Sequence, residues 1–527
     1  MKKTALISNG DYRDAAGAKS WPMQEETLKA VEAAFGKLGV ETFRAHPFKK
    51  EKGHGFITTQ TEGCKIFAGL DPEAPVVIVL SCWAYSHNVA SSLKLHCGPI
   101  LILANFDGTW PGLVALLNLS ATLERMRIPN SRIWTDKFAD DPAFMKNLKK
   151  WIDTGSVEYP TDHITDLKEL KLSKEALALG EELGADILKN KRILGQLDPG
   201  CMGMLNAVLS PGKLAAVGMP VEFLNQSDLV AEMQLVPDET ARANFDWLKK
   251  RGATFHFGTD DATELTEAQI LEQMKMYTAA GILFRRYGLS AIGIPYQLGL
   301  VRCVSASDLA EAMLNNCDRP DIIYPETGEV VAKGLPIPHF NEGDIGSGLP
   351  QALMCEILVK KGMPPETTLH DVRWGDEWKG RFVWVFEISG AAPPAHFGGW
   401  EKAEIYRQHQ MHFPKGGGTC AGVSKPGTVT WARFYQNYEG QICLDCGTGE
   451  VVEMPADEVK RRLECTTKEW PIANVHIPGY GRDELMSSHK SNHITICYGD
   501  ILQELAAVAS KIGLGVNIVG DARNGLK

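Results

Sequence analysis

Apolar and polar positions alternate along this chain in two textures. Through the first 160 residues, short apolar runs alternate with stretches of helical period. Thr4–Ser8, Val40–Phe43, Pro75–Leu80 and Pro99–Asn105 read as strands. Gln24 to Leu38, and the segment after Pro111 as far as about Met126, read as helices. The unbroken apolar runs are those of strands buried on both faces, so this spacing predicts a parallel sheet with helices on both sides. In such sheets ligands meet the loops at the carboxyl ends of the strands. Those loops are Gly10–Arg13, Ser81–His87 and Asn105–Gly108. A second α/β unit follows over 161–345. Its predicted helices are Ser173–Leu188, Pro237–Arg251 and Glu264–Tyr287, and its predicted strands are Val221–Leu224 and Ala291–Ile294. Ser307 or Asp308 starts a further helix, with Glu311 placed for a capping box.

From residue 346 the texture changes. After one helix, at about Leu349 to Lys361, short β-like runs dominate: Arg381–Ser389, Thr428–Tyr435, Gln441–Leu444 and His493–Tyr498. Glycine clusters such as Gly416–Gly418 lie between them, and a helix from Ile501 to Ile512 closes the chain. The expected architecture is therefore two doubly wound α/β domains, 1–160 and 161–345, followed by a β-rich, barrel-like domain, 346–527.

Composition narrows the function. The chain has 527 residues, 44% hydrophobic and 23% charged, and a net charge of −10. That is an ordinary globular balance, and the acidic charge argues against a nucleic-acid partner. No apolar run approaches the roughly 18 residues needed to cross a membrane, and the first apolar run is too short for a signal peptide. Twelve dispersed cysteines then suit free thiols in the cytoplasm. Cys443 and Cys446 form a single close pair with no second pair beside it, which argues against a structural zinc site. No GxGxxG follows a strand and no GxxxxGK[ST] occurs, which argues against dinucleotide or P-loop chemistry.

The stretch Pro338–Gly375 carries two acids at element ends, Glu342 and Asp371. Taken alone, it favours a helix-capping Glu342 and an Asp371–Arg373 pair. The same two carboxylates with a late histidine also make an oxygen-rich site for Mn²⁺ or Mg²⁺ and an acid/base pair. His396, His409, His412, His489 and His493 are the histidines of the last third, with no compact metal motif among them.

Several segments resemble the L-fucose isomerases. They are Cys82–Tyr85, Asn105–Gly112, Tyr296–Leu300 with Ser305–Glu311 and Leu314–Asn316, Asn341–Asp344, and Leu369–Arg373. Asn492-His493-Ile494 is similar to the histidine-bearing strand of the L-fucose and L-arabinose isomerases. The resemblance implies an aldose–ketose isomerase, two α/β domains before a β-rich one, and a homo-hexamer with active sites at subunit interfaces. It also implies a divalent metal, typically Mn²⁺ with Mg²⁺ or Co²⁺ as substitutes, held by Glu342, Asp371 and His493. The two carboxylates would pass a proton between C1 and C2 through a cis-enediol held on the metal. Gln297 matches a sugar-contacting glutamine, and Trp83 and Arg13 match first-domain residues that reach a neighbouring subunit's site. His396 and Asn492 are further candidate sugar contacts.

The sugar stays open. Relatives act on L-fucose, D-arabinose or L-arabinose; a sulfonated hexose would need a cation from Lys19, Arg13, His87 or Lys415, which otherwise read as solvated charges. A non-catalytic sugar-binding or regulatory protein, and a metal-dependent lyase or epimerase, are the alternatives on the same scaffold.

Overall fold

The computed structural model describes residues 3–200, 202–296 and 298–526. Among them the first unit is a five-stranded parallel sheet, in spatial order Thr42–Arg44, Thr4–Ser8, Val76–Leu80, Ile100–Asn105 and Ser131–Thr135. The apolar run Val76–Leu80 shows why its sequence does not alternate. Val76, Ile78 and Leu80 pack against helix Gly112–Arg125 on one face, through Leu113, Leu116 and Leu117. Val77 and Val79 pack on the other against Leu28, Val31 and Phe35 of one helix and Leu148 and Trp151 of another. Each such buried aliphatic side chain contributes roughly 1.5–3 kcal/mol. The first helix is longer than its periodicity suggests, running Asp14–Lys37 with Pro22 inside it. Its buried stripe extends back through Ala16, Gly17 and Ser20, and Gly17 lets His54 approach so closely that a Cβ there would sit 2.7 Å from the ring.

The second unit is a four-stranded parallel sheet, in the order His339–Asn341, Ala291–Ile294, Leu194–Leu197, Val221–Leu224. The third closes on itself. Strands Gly427–Gln436, His493–Tyr498, Thr367–Trp378, Arg381–Glu387, Ile472–His476 and Ile442–Val451 pair antiparallel in that order, and the last pairs back with the first. The expected β-rich, barrel-like unit is thus a six-stranded barrel, which leaves no open edge around the ring.

The units interlock beyond simple chain order. Gly515–Val519 runs parallel to Ile442–Val451, and Ile164–Asp166, placed in the second unit by its sequence, pairs antiparallel with Gly515–Val519. Helix Lys174–Asn190 likewise packs on Leu502–Lys511, where a Cβ at Gly180 would meet that of Ala507 at 2.6 Å. In the other direction, Glu404–Ile405 pairs with Thr254–Phe255 of the second unit. One hydrophobic core joins the first sheet to the barrel, holding Ile102, Phe106 and Leu113 with Trp374, Trp384 and Val475. Among the described residues, no helix is long and apolar enough to cross a membrane.

Candidate active site

Three sets of strand ends meet at one pocket. In the first sheet, whose order reverses between Thr4–Ser8 and Val76–Leu80, the loops after those two strands carry Arg13 and Trp83. Such a reversal opens a crevice at the carboxyl edge. In the second sheet, Tyr296 follows strand Ala291–Ile294 and Glu342 follows His339–Asn341. The barrel adds Asp371, Arg373 and Asn492. These residues, with Met202, Ser389, His412, Phe413 and Trp470, line one pocket.

Glu342 is held by the backbone itself. It has φ +58° and Gly343 φ +66°, two successive left-handed residues that turn the chain from strand into helix. Gln196 Nε2, on the strand two places along the sheet, donates to the Gly343 carbonyl at 2.7 Å and fixes the turn. The helix then starts at Ile345, earlier than the periodicity indicates, because Asp344 caps it by accepting from the Gly346 N–H at 2.9 Å. Capping therefore falls to Asp344, and Glu342 is left free to face the pocket.

Asp371 also departs from its plain sequence reading. It lies within strand Thr367–Trp378, before a bulge between Val372 and Trp374. Register sets it opposite His493 on one side and Glu387 on the other. Arg373 turns away from it. Its guanidinium donates to the carbonyls of Gly108 and Thr109, and Nη1 lies 3.3 Å from Glu387.

The three side chains that the resemblance singles out converge. His493 Nε2 lies 3.2 Å from Asp371 Oδ1 and 3.6 Å from Glu342 Oε2. Its other nitrogen, Nδ1, meets the Asp344 carboxylate at 2.7 Å, and Asp344 in turn binds Arg433. Asn492 Nδ2 donates to Asp371 Oδ1 at 3.2 Å. Burial opposes charge on His493, but the hydrogen bond to Asp344 and the neighbouring Asp371 carboxylate outweigh this and push it up to about 10. Burial pushes the Glu342 carboxyl up to about 8, with Asp371 adding to the rise. Asp344, which burial alone would raise, is held well below the usual range by Arg433 and His493.

This donor set fits a divalent cation. Two carboxylates and an imidazole suit Mn²⁺ or Mg²⁺, and the nitrogen facing them, His493 Nε2, is buried without a hydrogen-bond partner. The carboxylate behind Nδ1 is the outer-shell support that fixes a ligating histidine's tautomer and direction. Among the described residues no three side chains already stand at coordinating distances; here the donor atoms close on one another.

Of the other expected contacts, Arg13, Trp83 and Asn492 line the pocket, and Gln297 lies outside the described residues. His396 is not brought there. It is buried against Tyr498, with Nε2 3.2 Å from the Glu366 carbonyl. Arg13 and Trp83, expected to serve a neighbouring subunit, line the pocket of their own chain, because the shared core docks the first sheet against the barrel. His412, at the pocket wall, is held neutral by burial and by the cations Arg13 and Arg373. The sequence reading missed Asp344 and Arg433. Asp344 has the position of an N-cap, and Arg433 is a lone charge in the apolar strand Trp431–Phe434, which is the kind of signal that marks a buried partner.

Buried neutral histidines also set the pH range of the fold. Burial lowers His370 to about 3, His396 to about 4 and His489 to about 3. Each of these rings therefore binds fewer protons in the folded chain than in the unfolded one between pH 6.5 and those values, and its contribution to stability falls as pH falls through that window. Each histidine contributes about 1.4 kcal/mol per pH unit. Buried carboxyls such as Glu342 and Glu387, raised to about 8 and about 7, act in the opposite direction, so the test is a single ring. The melting midpoint of H396Q should fall less steeply than the parent's from pH 6.5 to pH 4.5, and an identical slope would contradict the neutral burial of His396.

Residues 399–519 match the family model described as the C-terminal domain of L-fucose isomerase. No curated protein matches the chain significantly.

Proposed function

Because the match over 399–519 supports an L-fucose isomerase-like family, we propose that the protein is an aldose–ketose isomerase working at the pocket of Glu342, Asp371 and His493. The observation that carries this reading is the convergence of those three side chains, from two units and distant points of the chain: Glu342 and Asp371 line one pocket, and His493 is buried directly beside them. Glu342, Asp371 and His493 would hold a divalent cation, Mn²⁺ by preference. When bound, the ion polarises the sugar's carbonyl and steadies the charge that develops on its oxygen. The chain's own residues then move the proton. The Glu342 and Asp371 carboxylates both stand beside His493 Nε2 and line the pocket, placed to take a proton from C2 of the open aldose and return it to C1, through an enediol. Asn492 fixes Asp371, and Asp344 with Arg433 fixes the imidazole. Trp83, Phe413 and Trp470 give the pocket aromatic walls suited to a sugar's carbon face.

L-fucose or D-arabinose is the first substrate class. A sulfonated hexose is a second, favoured by Arg13: Asp11 takes its Nε and Nη2, while Nη1 makes no hydrogen bond among the described residues. The test is aldose–ketose exchange followed by NMR on L-fucose, D-arabinose and a 6-deoxy-6-sulfohexose, with EDTA-treated protein and then with Mn²⁺ restored. Exchange that EDTA abolishes and Mn²⁺ restores is expected. In D₂O, deuterium should enter C1 of the ketose; its absence would favour a hydride shift. Sugar binding without conversion in any of the three would replace the isomerase with a binding protein.

A further inference from the structure

Behind the pocket wall lie two carboxyl groups with no arginine or lysine paired to them among the described residues. Asp308 and Glu311 stand one turn apart on helix Asp308–Leu314, and both are 0% exposed. Glu311 is well supplied with donors. The Ser307 hydroxyl bonds one oxygen, Asn341 Nδ2 donates to the other at 2.6 Å, and His339 Nδ1 lies 3.2 Å from it. Asp308 has fewer: Gln408 Nε2 donates to Oδ2 at 2.8 Å, and the Ser389 hydroxyl stands at the longer distance of 3.4 Å from Oδ1.

The direction of that amide is fixed from the pocket. Trp470 Nε1–H, which can only donate, meets Gln408 Oε1 at 3.0 Å, so the Gln408 NH₂ must face Asp308 Oδ2 and the Ser389 carbonyl. Oδ2 is thereby an acceptor. The other oxygen, Oδ1, shares a 3.4 Å hydrogen bond with Ser389 Oγ, and Ser389 Oγ bonds the Tyr296 hydroxyl. Ser389 and Tyr296 both line the pocket that contains Glu342 and Asp371. Two like acids side by side in a dry site cannot both ionise, and the one with fewer donors keeps its proton. Burial and Glu311 accordingly push Asp308 well above the usual carboxyl range, with Glu342 adding to the rise. Burial raises the Tyr296 hydroxyl likewise. The result is a chain of proton-bearing groups, Asp308–Ser389–Tyr296, ending in the pocket and separate from the metal-binding trio.

We propose that this chain is the acid that opens the cyclic sugar, with Ser389 and Tyr296 touching the substrate and Asp308 as the positioning residue that supplies the proton through them. The inference rests on the isomerase reading, since an aldose in its ring form has no free carbonyl next to C2. In the opening step, the bond between C1 and the ring oxygen breaks and its electron pair stays on the ring oxygen. That oxygen takes a proton from the hydroxyl chain, which draws on Asp308. The anomeric hydroxyl gives its proton to a carboxylate of the same pocket, Glu342 or Asp371, and its electron pair forms the C1 carbonyl. When the ketose product closes its ring, the same steps reverse and Asp308 regains its proton.

Ring opening can be read apart from isomerisation, as loss of anomeric purity in a freshly dissolved sugar. We would follow mutarotation of the pure α-anomers of L-fucose, D-arabinose and a 6-deoxy-6-sulfohexose by NMR, with EDTA-treated and Mn²⁺-loaded protein. The parent should accelerate mutarotation of at least one sugar above the buffer rate. D308N keeps the same shape and can donate to Ser389 and accept from Gln408, but has no proton to transfer. It should cut the acceleration by about 100-fold, leave KM within about threefold, and melt with the parent. Y296F should also lose acceleration. Mutarotation as fast in D308N as in the parent, or no acceleration by the parent in either form, would overturn the proposal. Acceleration without isomerisation of any sugar would leave it standing and sink the isomerase reading instead.

Discussion

Glu342→Gln reduces turnover by at least about 1,000-fold while leaving the fold intact. The size follows from two losses at one position. A positioned acid/base group contributes 10²–10⁴-fold, and the amide replaces an anionic oxygen that a divalent cation requires. The fold survives because Glu342 is held by main-chain geometry, not by packing. Its left-handed φ of +58° and the Gln196 bond to Gly343 persist when the side chain is an amide. Backbone strain of this kind, of order 1–3 kcal/mol for a residue with a Cβ, tends to sit where function requires it. The carboxyl is also an unfavourable group for the metal-free fold. Burial raises it to about 8, so above the ordinary carboxyl range the folded chain binds more protons than the unfolded one and stability falls as pH rises. Glutamine removes that term. Metal-free E342Q should therefore melt at or above the parent at pH 8, measured by scanning fluorimetry beside NMR turnover. A variant with more than a tenth of parental activity would remove Glu342 from the chemistry.

The site shows why some of this was legible in sequence and some was not. Glu342, Asp371 and His493 stand out through the resemblance of their segments, whereas the local pattern alone favours a capping Glu342 and an Asp371–Arg373 pair. Strand His493–Tyr498 was readable from its apolar run, and its pairing with Thr367–Trp378 then brings His493 opposite Asp371. The pairing itself was not readable. Barrel closure, the addition of Ile164–Asp166 to its extended sheet, and the docking of Arg13 and Trp83 beside Glu342 depend on contacts between residues hundreds of positions apart. Local periodicity carries no such information. Asp308 and Glu311 illustrate the other limit. Their spacing reads as a helix start with a capping box, but Ser307 makes no capping bond, and its hydroxyl bonds the Glu311 side chain instead. Only the packing of Gln408 and Trp470 over them shows the pair to be fully buried and turned toward the pocket. His396 is the reverse case: a histidine in a glycine- and proline-rich loop resembles a ligand, yet its ring is consumed by the Glu366 carbonyl and Tyr498.

Arg433→Met destabilises the protein by about 3–5 kcal/mol, more than any other single substitution considered for the site. Arg433, Asp344 and His493 form one buried relay, with side chains 1%, 0% and 0% exposed. The Asp344 carboxylate serves three partners at once: it caps helix Ile345–Lys360, binds the guanidinium, and orients the imidazole. Removing the guanidinium leaves a carboxylate in the interior with only a histidine to balance it, and breaking one side of a buried pair costs about that much. The strand cannot refill the space, because the arginine enters beside Gly346, where a Cβ would already sit 2.5 Å from Nη2. Adding Asp344→Asn to Arg433→Met removes the stranded charge while keeping an oxygen for the helix cap, so the double variant should regain part of the loss. Non-additivity of at least about 1 kcal/mol between the two changes is the expected coupling for groups in direct contact. Urea denaturation of the parent, both single variants and the double variant measures it. If Arg433→Met unfolds within about 1 kcal/mol of the parent, or the two changes simply add, then Asp344 does not depend on Arg433 for its charge, and the support given to His493 must come from the helix terminus alone.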